Sequence, residues 1–133
     1  MADQTIIDNE YVTMWYYTDK KIVHHTFHKF LHGQPLRECL TKGIELFKKN
    51  SASKWLSDDR NNSALPKEDM EWAQTSWFPQ VVAAGWKYWA IVLPEQIIGQ
   101  LNMKRLIKQY SEAGVTAQIF SDPQQAMRWL ENQ

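Results

Sequence analysis

Apolar and aromatic residues form two short runs near the N-terminus. Residues 11–17 (YVTMWYY) and 22–30 (IVHHTFHKF) are rich in β-branched and aromatic side chains. Thr18 to Lys21, between the two runs, is a polar stretch typical of a turn. The pattern therefore predicts an antiparallel hairpin.

The apolar positions then change to helical spacing. From Pro35 to Phe47 they recur every three or four residues, and Lys48, Lys49 and Asn50 follow. Cations and a residue that tolerates the left-handed conformation are favoured at the end of a helix. A helix over 35–50 is predicted, followed by a short strand over 53–57.

A second helix is predicted over 66–84, with Glu68 and Asp69 in its first turn, where acidic groups are favoured. Pro79 lies inside this segment. Because proline has no N–H and its ring collides with the preceding turn, we expect the helix to kink or split near Ser76.

The second half of the chain alternates strands and helices. The run 86–94 (WKYWAIVLP) is the longest apolar one and predicts a central strand, covered on both faces. A helix over 94–113, a strand over 115–120 and a helix capped by Asp122 follow. This order predicts a single α/β domain over 1–133 with a five-stranded mixed sheet and about four helices. Its N-terminal hairpin is antiparallel, and its remaining strands are parallel.

Composition excludes several classes of function. Fifteen Lys and Arg balance fifteen Asp and Glu, so binding to nucleic acid has little electrostatic support. No apolar run reaches the ~18 residues of a membrane span, and no secretion signal is seen, so we expect a cytoplasmic protein without membrane insertion. The single cysteine, Cys39, excludes an intramolecular disulfide; its place on an apolar stripe predicts a buried, inert thiol.

Four stretches of the sequence carry a family resemblance. WLSDDRNN, the run Trp77 to Pro79, GWKYWAIVLP and FSDPQQAMRWL resemble a group of small bacterial STAS-like (SpoIIAA-like) proteins. The resemblance implies the fold of anti-sigma-factor antagonists, which mostly act as non-catalytic switches or sensors. A topologically similar sheet serves lipid-carrying domains of the CRAL-TRIO type.

A polar run follows the predicted strand 53–57 and is the main candidate site. Open α/β sheets place ligands at the carboxyl ends of their strands, so this run is predicted to contact a partner or ligand. Its members are Ser57, Asp58, Asp59, Arg60, Asn61, Asn62 and Ser63. The first hypothesis is therefore a non-catalytic binding or regulatory module. The alternative is structural: Arg60 pairs with one of the two aspartates, and Asn62 or Ser63 caps the next helix.

Phosphorylation would make this run a switch. The resemblance implies a phosphorylated serine before the second helix, and Ser57 and Ser63 lie in the matching region. However, Asp58 and Asp59 would repel a phosphate placed on Ser57.

Histidines raise the possibility of acid/base chemistry. Strand alternation puts His24 and His28 on one face and His25 on the other, which separates them as metal ligands, and neither a metal nor another cofactor is predicted. The third hypothesis is a hydrolase that uses Asp58 or Asp59 with a histidine. No Gly-rich elbow marks a nucleophile for it.

The aromatic residues support two further hypotheses. A pocket that takes a small hydrophobic or lipid-like ligand is the main alternative function, and its candidate residues are Trp72, Trp77, Phe78 and Trp86. The first predicted strand is apolar on both faces. Either a second subunit, giving a homodimer, or another segment of the same chain is expected to cover the second face.

Overall fold

A mixed six-stranded sheet forms the centre of the protein. The computed structural model describes residues 3–62 and 64–133. Within these residues the strands are β1 Gln4–Asp8, β2 Val12–Tyr17, β3 Ile22–Phe27, β4 Lys54–Asp58, β5 Tyr88–Val92 and β6 Thr116–Phe120. The predicted α/β class and mixed sheet are confirmed, whereas the predicted number of five strands is wrong.

The additional strand is β1, at one edge of the sheet. It pairs antiparallel with β2, and a bulge lies between Thr5 and Ile7. β2 pairs antiparallel with β3, and β3 to β6 are parallel, so the strands lie side by side in chain order. Because β1 occupies the edge, β2 has neighbours on both sides.

Helices connect the parallel strands. In the described part of the chain they are α1 Gly33–Asn50, α2 Lys67–Trp72, α3 Phe78–Ala83, α4 Glu95–Ile98, α5 Met103–Glu112 and α6 Pro123–Glu131. A π-helical turn, Ala73–Trp77, joins α2 to α3. Because α2, the π-helical turn and α3 are continuous, the described residues contain five helical segments instead of about four. The additional segment arises because the helix predicted over 94–113 is divided into α4 and α5. The side chain of Asn102 accepts a hydrogen bond from the Arg105 N–H and starts α5.

The interruption expected near Ser76 is this π-helical turn. The Phe78 N–H donates to the carbonyl of Ala73, five residues earlier. Pro79 has no N–H to continue the ladder, and the side-chain amide of Gln80 donates to the Ser76 carbonyl at 2.9 Å. The helix therefore changes register without breaking.

Helices cover the two faces of the sheet unequally. On the first face, α1, the π-helical turn and α3 enclose a core that contains Phe47, Trp55 and Trp86. On the second face, Ala126 and Leu130 of α6 pack against buried side chains of β3, β4 and β5.

Cys39 lies in the first core, and its predicted burial is confirmed. Burial raises the pKa of its thiol to about 12.

Part of the second face carries half-buried side chains. Trp15, Tyr17 and His24 of β2 and β3 lie there, and the ring centroids of Trp15 and His24 are 4.7 Å apart.

A search of the described residues for a helix with the length and hydropathy of a membrane span found none.

Candidate functional site

A cavity of about 990 Å³ lies on the first face, between the sheet and its helices. Its floor consists of side chains from β3, β4 and β5, among them His25, Ser57 and Trp89. The apolar walls come from α1, the π-helical turn and its neighbours, and α5; they include Leu36, Leu40, Trp77, Phe78 and Tyr110. Met70 and Ile97 also line the cavity and are 47% and 42% exposed, which places them at its mouth.

A hydrogen-bonded chain of three side chains lies at the floor. The Trp55 Nε1–H donates to Nδ1 of His25 at 2.9 Å, and Nε2 of His25 lies 3.0 Å from Oδ1 of Asp59. An indole nitrogen can only donate, so Nδ1 of His25 must accept. The proton of the neutral imidazole is therefore on Nε2 and is donated to Asp59.

Ser57 lies beside this chain. It is paired with His25 in the register of β3 and β4, and its Oγ accepts a hydrogen bond from Trp89 Nε1 at 2.8 Å. Ser57 is only 3% exposed, and its hydroxyl hydrogen has no acceptor among the described residues. Because both nitrogens of His25 already have partners, His25 has no lone pair with which to activate Ser57. Ser57 is therefore a hydrogen-bonding group of the cavity that His25 does not activate in this arrangement.

Asp59 is a further polar group of the cavity floor. Its Oδ1 is held by His25, whereas Oδ2 receives no hydrogen bond from any residue that the structure describes. Its side chain is 28% exposed. Asn62 also lines the cavity, and its Oδ1 accepts from the Leu31 N–H at 3.1 Å, so it does not cap α2.

The predicted contact run is divided between the two faces. Ser57 and Asp58 lie within β4 and are buried, so the strand extends further than expected. Ser57 and Asp59 face the cavity, whereas Asp58 points to the second face. There the Arg60 guanidinium donates to Oδ1 and Oδ2 of Asp58 at 2.9 and 2.8 Å, the pairing that the sequence suggested. Arg60 and Asn61 are exposed, and Ser63 lies outside the described residues.

The four aromatic candidates also separate. Trp77 and Phe78 line the cavity. Trp86 is 2% exposed and lies in the core, its ring centroid 5.4 Å from that of Trp77. Trp72 does not line the cavity, and the guanidinium of Arg37 lies 5.3 Å from its ring centroid.

A buried carboxylate fixes the helices that flank the cavity. Asp69 of α2 is 3% exposed, and its Oδ2 accepts a hydrogen bond from the Gly33 N–H, at the start of α1, at 2.8 Å. The Arg37 guanidinium approaches the other carboxylate oxygen at 3.5 Å. Asp69 therefore caps α1 from another helix, which sequence alone did not indicate.

The remaining histidines of β3 and its end lie on the second face, as alternation predicted. The Tyr17 hydroxyl is 2.7 Å from Nδ1 of His24, and the Thr13 hydroxyl is 2.7 Å from Nε2 of His28. Burial, together with neighbouring His25, lowers the pKa of His24 to about 4, against a weaker opposing effect of Asp58. Among the described residues, no group of three or more His, Cys, Asp and Glu side chains could hold a metal.

Comparisons with protein-family models, with curated proteins and with solved structures gave no match. The function of the chain is therefore inferred from the cavity itself.

Proposed function

We propose that this protein binds a small hydrophobic or amphipathic molecule in the cavity of the first face and acts as its carrier or sensor. The observation that supports the proposal is the cavity volume of about 990 Å³ together with its largely apolar lining. Pockets for small molecules typically span ~300–1,000 Å³, are mostly apolar and contain a few convergent polar groups.

The position of the cavity agrees with this function. It reaches the carboxyl end of β4 and the segment after β5, through Asp59, Leu93 and Pro94. Ligands of open α/β sheets bind at this end of the strands. We also propose that the chain belongs to the STAS-like proteins. Lipid-carrying domains have a topologically similar sheet, which supports a ligand-binding role.

A binding or regulatory module is the second candidate. Its support is the exposure of Arg60 and Asn61 after β4, together with half-buried Trp15 and His24 on the second face, which supply polar and aromatic groups to that surface. On this hypothesis the protein contacts a second copy of itself or another protein in the cytoplasm.

A cavity-filling variant tests the carrier or sensor function. Ala73 lines the cavity from the π-helical turn, whereas Ala83 is exposed and does not line it. Nile red, a neutral apolar dye, is expected to fluoresce on binding the native protein. Ala73→Trp should weaken its binding by about tenfold or more, since tryptophan removes much of the apolar contact surface.

Ala83→Trp is the matched control and should bind the dye as the native protein does. Circular dichroism establishes that both variants are folded. Unchanged dye binding by folded Ala73→Trp, or no dye binding by the native protein, would overturn the proposed function. Native mass spectrometry after gentle purification identifies any molecule that remains bound.

A further inference from the structure

We infer that the natural ligand is a cationic amphiphile, an apolar body with a protonated amine that binds Asp59. This inference rests on the proposed function and specifies the chemical class of the ligand. It follows from the charge of the cavity, from the hydrogen bonds of its floor and from its aromatic walls.

In the described lining of the cavity, Asp59 carries a negative charge that neither Lys nor Arg neutralises. Among the described residues that line it, Asp59 is the only one that is charged when His25 is neutral, and neither Lys nor Arg is present. A charge in a largely apolar cavity has a strong preference for an ion of opposite sign. A ligand carboxylate would face Asp59 without a cation to neutralise it.

The protein itself leaves Asp59 available. The neighbouring cation, Arg60, has its guanidinium on the second face, where both carboxylate oxygens of Asp58 bind it. His25 donates to Oδ1 only, and Oδ2 accepts no hydrogen bond from the described residues. One carboxylate oxygen is therefore free to accept a charge-assisted hydrogen bond from the ligand.

The other groups of the cavity suit an ammonium group as well. Ser57 is 3% exposed, and its Oγ uses one lone pair for Trp89, so a second lone pair remains for a donor. Trp77, Trp89 and Tyr110 present aromatic rings, whose faces attract cations. Most of the remaining lining is apolar and would bury the hydrocarbon part of the ligand, and Asn62, Gln74 and Gln109 add neutral amide groups.

Three probes with the same chain test the inference: decylamine, decanol and decanoate, each displacing Nile red at pH 7.5 and below its micellar concentration. Hydrogen bonds to charged groups contribute enough that decylamine should bind about 10- to 100-fold more tightly than decanol. Decanoate should bind most weakly.

Asp59→Asn removes the charge but keeps an oxygen that can accept from His25. In this variant the affinities for decylamine and decanol should agree within about threefold, because the charge-assisted contribution is lost. Glu68→Gln makes the same change at an exposed position outside the cavity. This control should retain the preference for the amine.

Each result has a distinct meaning. Equal binding of amine and alcohol by the native protein, or an amine preference that survives Asp59→Asn, would overturn the cationic ligand and leave the cavity as a binding site. Failure of the decyl probes and of Nile red to bind would overturn the proposed function as well.

Discussion

The indole ring of Trp55 occupies the space into which a side chain on Gly43 would project. A Cβ atom built on Gly43 would overlap Cη2 and Cζ3 of the ring. The ring is 1% exposed and is surrounded by the aromatic rings of Phe47, Trp77 and Trp86, at centroid distances of 5.4 to 6.0 Å. The absence of a side chain at Gly43 therefore sets how closely α1 approaches β4, and with it one wall of the cavity.

Gly43→Ala should destabilise the protein, although alanine favours the helix by ~1 kcal/mol over glycine. The surrounding rings prevent Trp55 from moving, and overpacking of a core typically costs ~1–3 kcal/mol. Urea unfolding measures the effect. Gly99→Ala is the control, since its nearest contact would be an ordinary 3.7 Å, and its stability should be unchanged or slightly raised. A Gly43→Ala protein as stable as the native one would contradict the packing of α1 on Trp55.

Arg60→Ala should lower the free energy of unfolding by ~1–3 kcal/mol, because the Asp58 side chain is only 4% exposed and would lose both charge-assisted hydrogen bonds. Asp58→Ala should cost less, since the Arg60 side chain, 42% exposed, can return to water. Lys67→Ala removes an exposed ion pair with Glu71 and should leave stability unchanged within error. If Arg60→Ala and Lys67→Ala lowered the free energy of unfolding by equally small amounts, the burial of Asp58 would not strengthen its ion pair with Arg60.

Stability should fall as the pH is lowered from 7.5 to 5 because of His24. Its pKa is about 4 in the folded protein and 6.5 in the unfolded chain, so the unfolded chain binds the proton first. The stabilisation is complete above pH 6.5 and is lost as the pH falls toward 4. Between pH 7.5 and 5 the loss should be ~1–2 kcal/mol.

The contribution of His24 is isolated by comparing the native protein with His24→Gln by urea unfolding at both pH values. The loss of unfolding free energy between pH 7.5 and 5 should be smaller in this variant by ~1–2 kcal/mol. His32→Gln, at an exposed position, should retain the native pH dependence. Identical pH dependence in the native protein and His24→Gln would contradict the lowered pKa.

The thiol of Cys39 should not react with Ellman's reagent in the folded protein at pH 8. It is 2% exposed, and its pKa of about 12 leaves almost no thiolate. After unfolding in guanidinium, one thiol per chain should react at once. Rapid reaction of the folded protein would mean that the core around Cys39 opens readily.

The strands could be predicted where β-branched and aromatic residues cluster. Such clusters gave the positions of β2 and β3, and the burial of Val12, Met14 and Tyr16 identifies the face that the first core covers. β1 was missed because its five residues, QTIID, are mostly exposed and become a strand only by pairing with β2. The division of the 94–113 helix depends on the cap at Asn102, a weak local preference.

The site was less predictable because it depends on register and helix placement. Alternation could place Ser57 and Asp59 on one face, but only the pairing of β3 with β4 brings His25 beside Ser57. Trp55 then orients His25, a contact between residues 30 positions apart. The cavity also needs Tyr110 from α5, whose distance from the sheet no local pattern encodes.

The side-by-side order of the strands has a consequence for synthesis on the ribosome. Each strand from β2 onward pairs with the strand made just before it, and in the described chain no strand is inserted between two that are already paired. The sheet can therefore lengthen in the direction of translation, from the N-terminal meander outward. The cavity floor becomes complete only when β5 has emerged, and its α5 wall is translated after that.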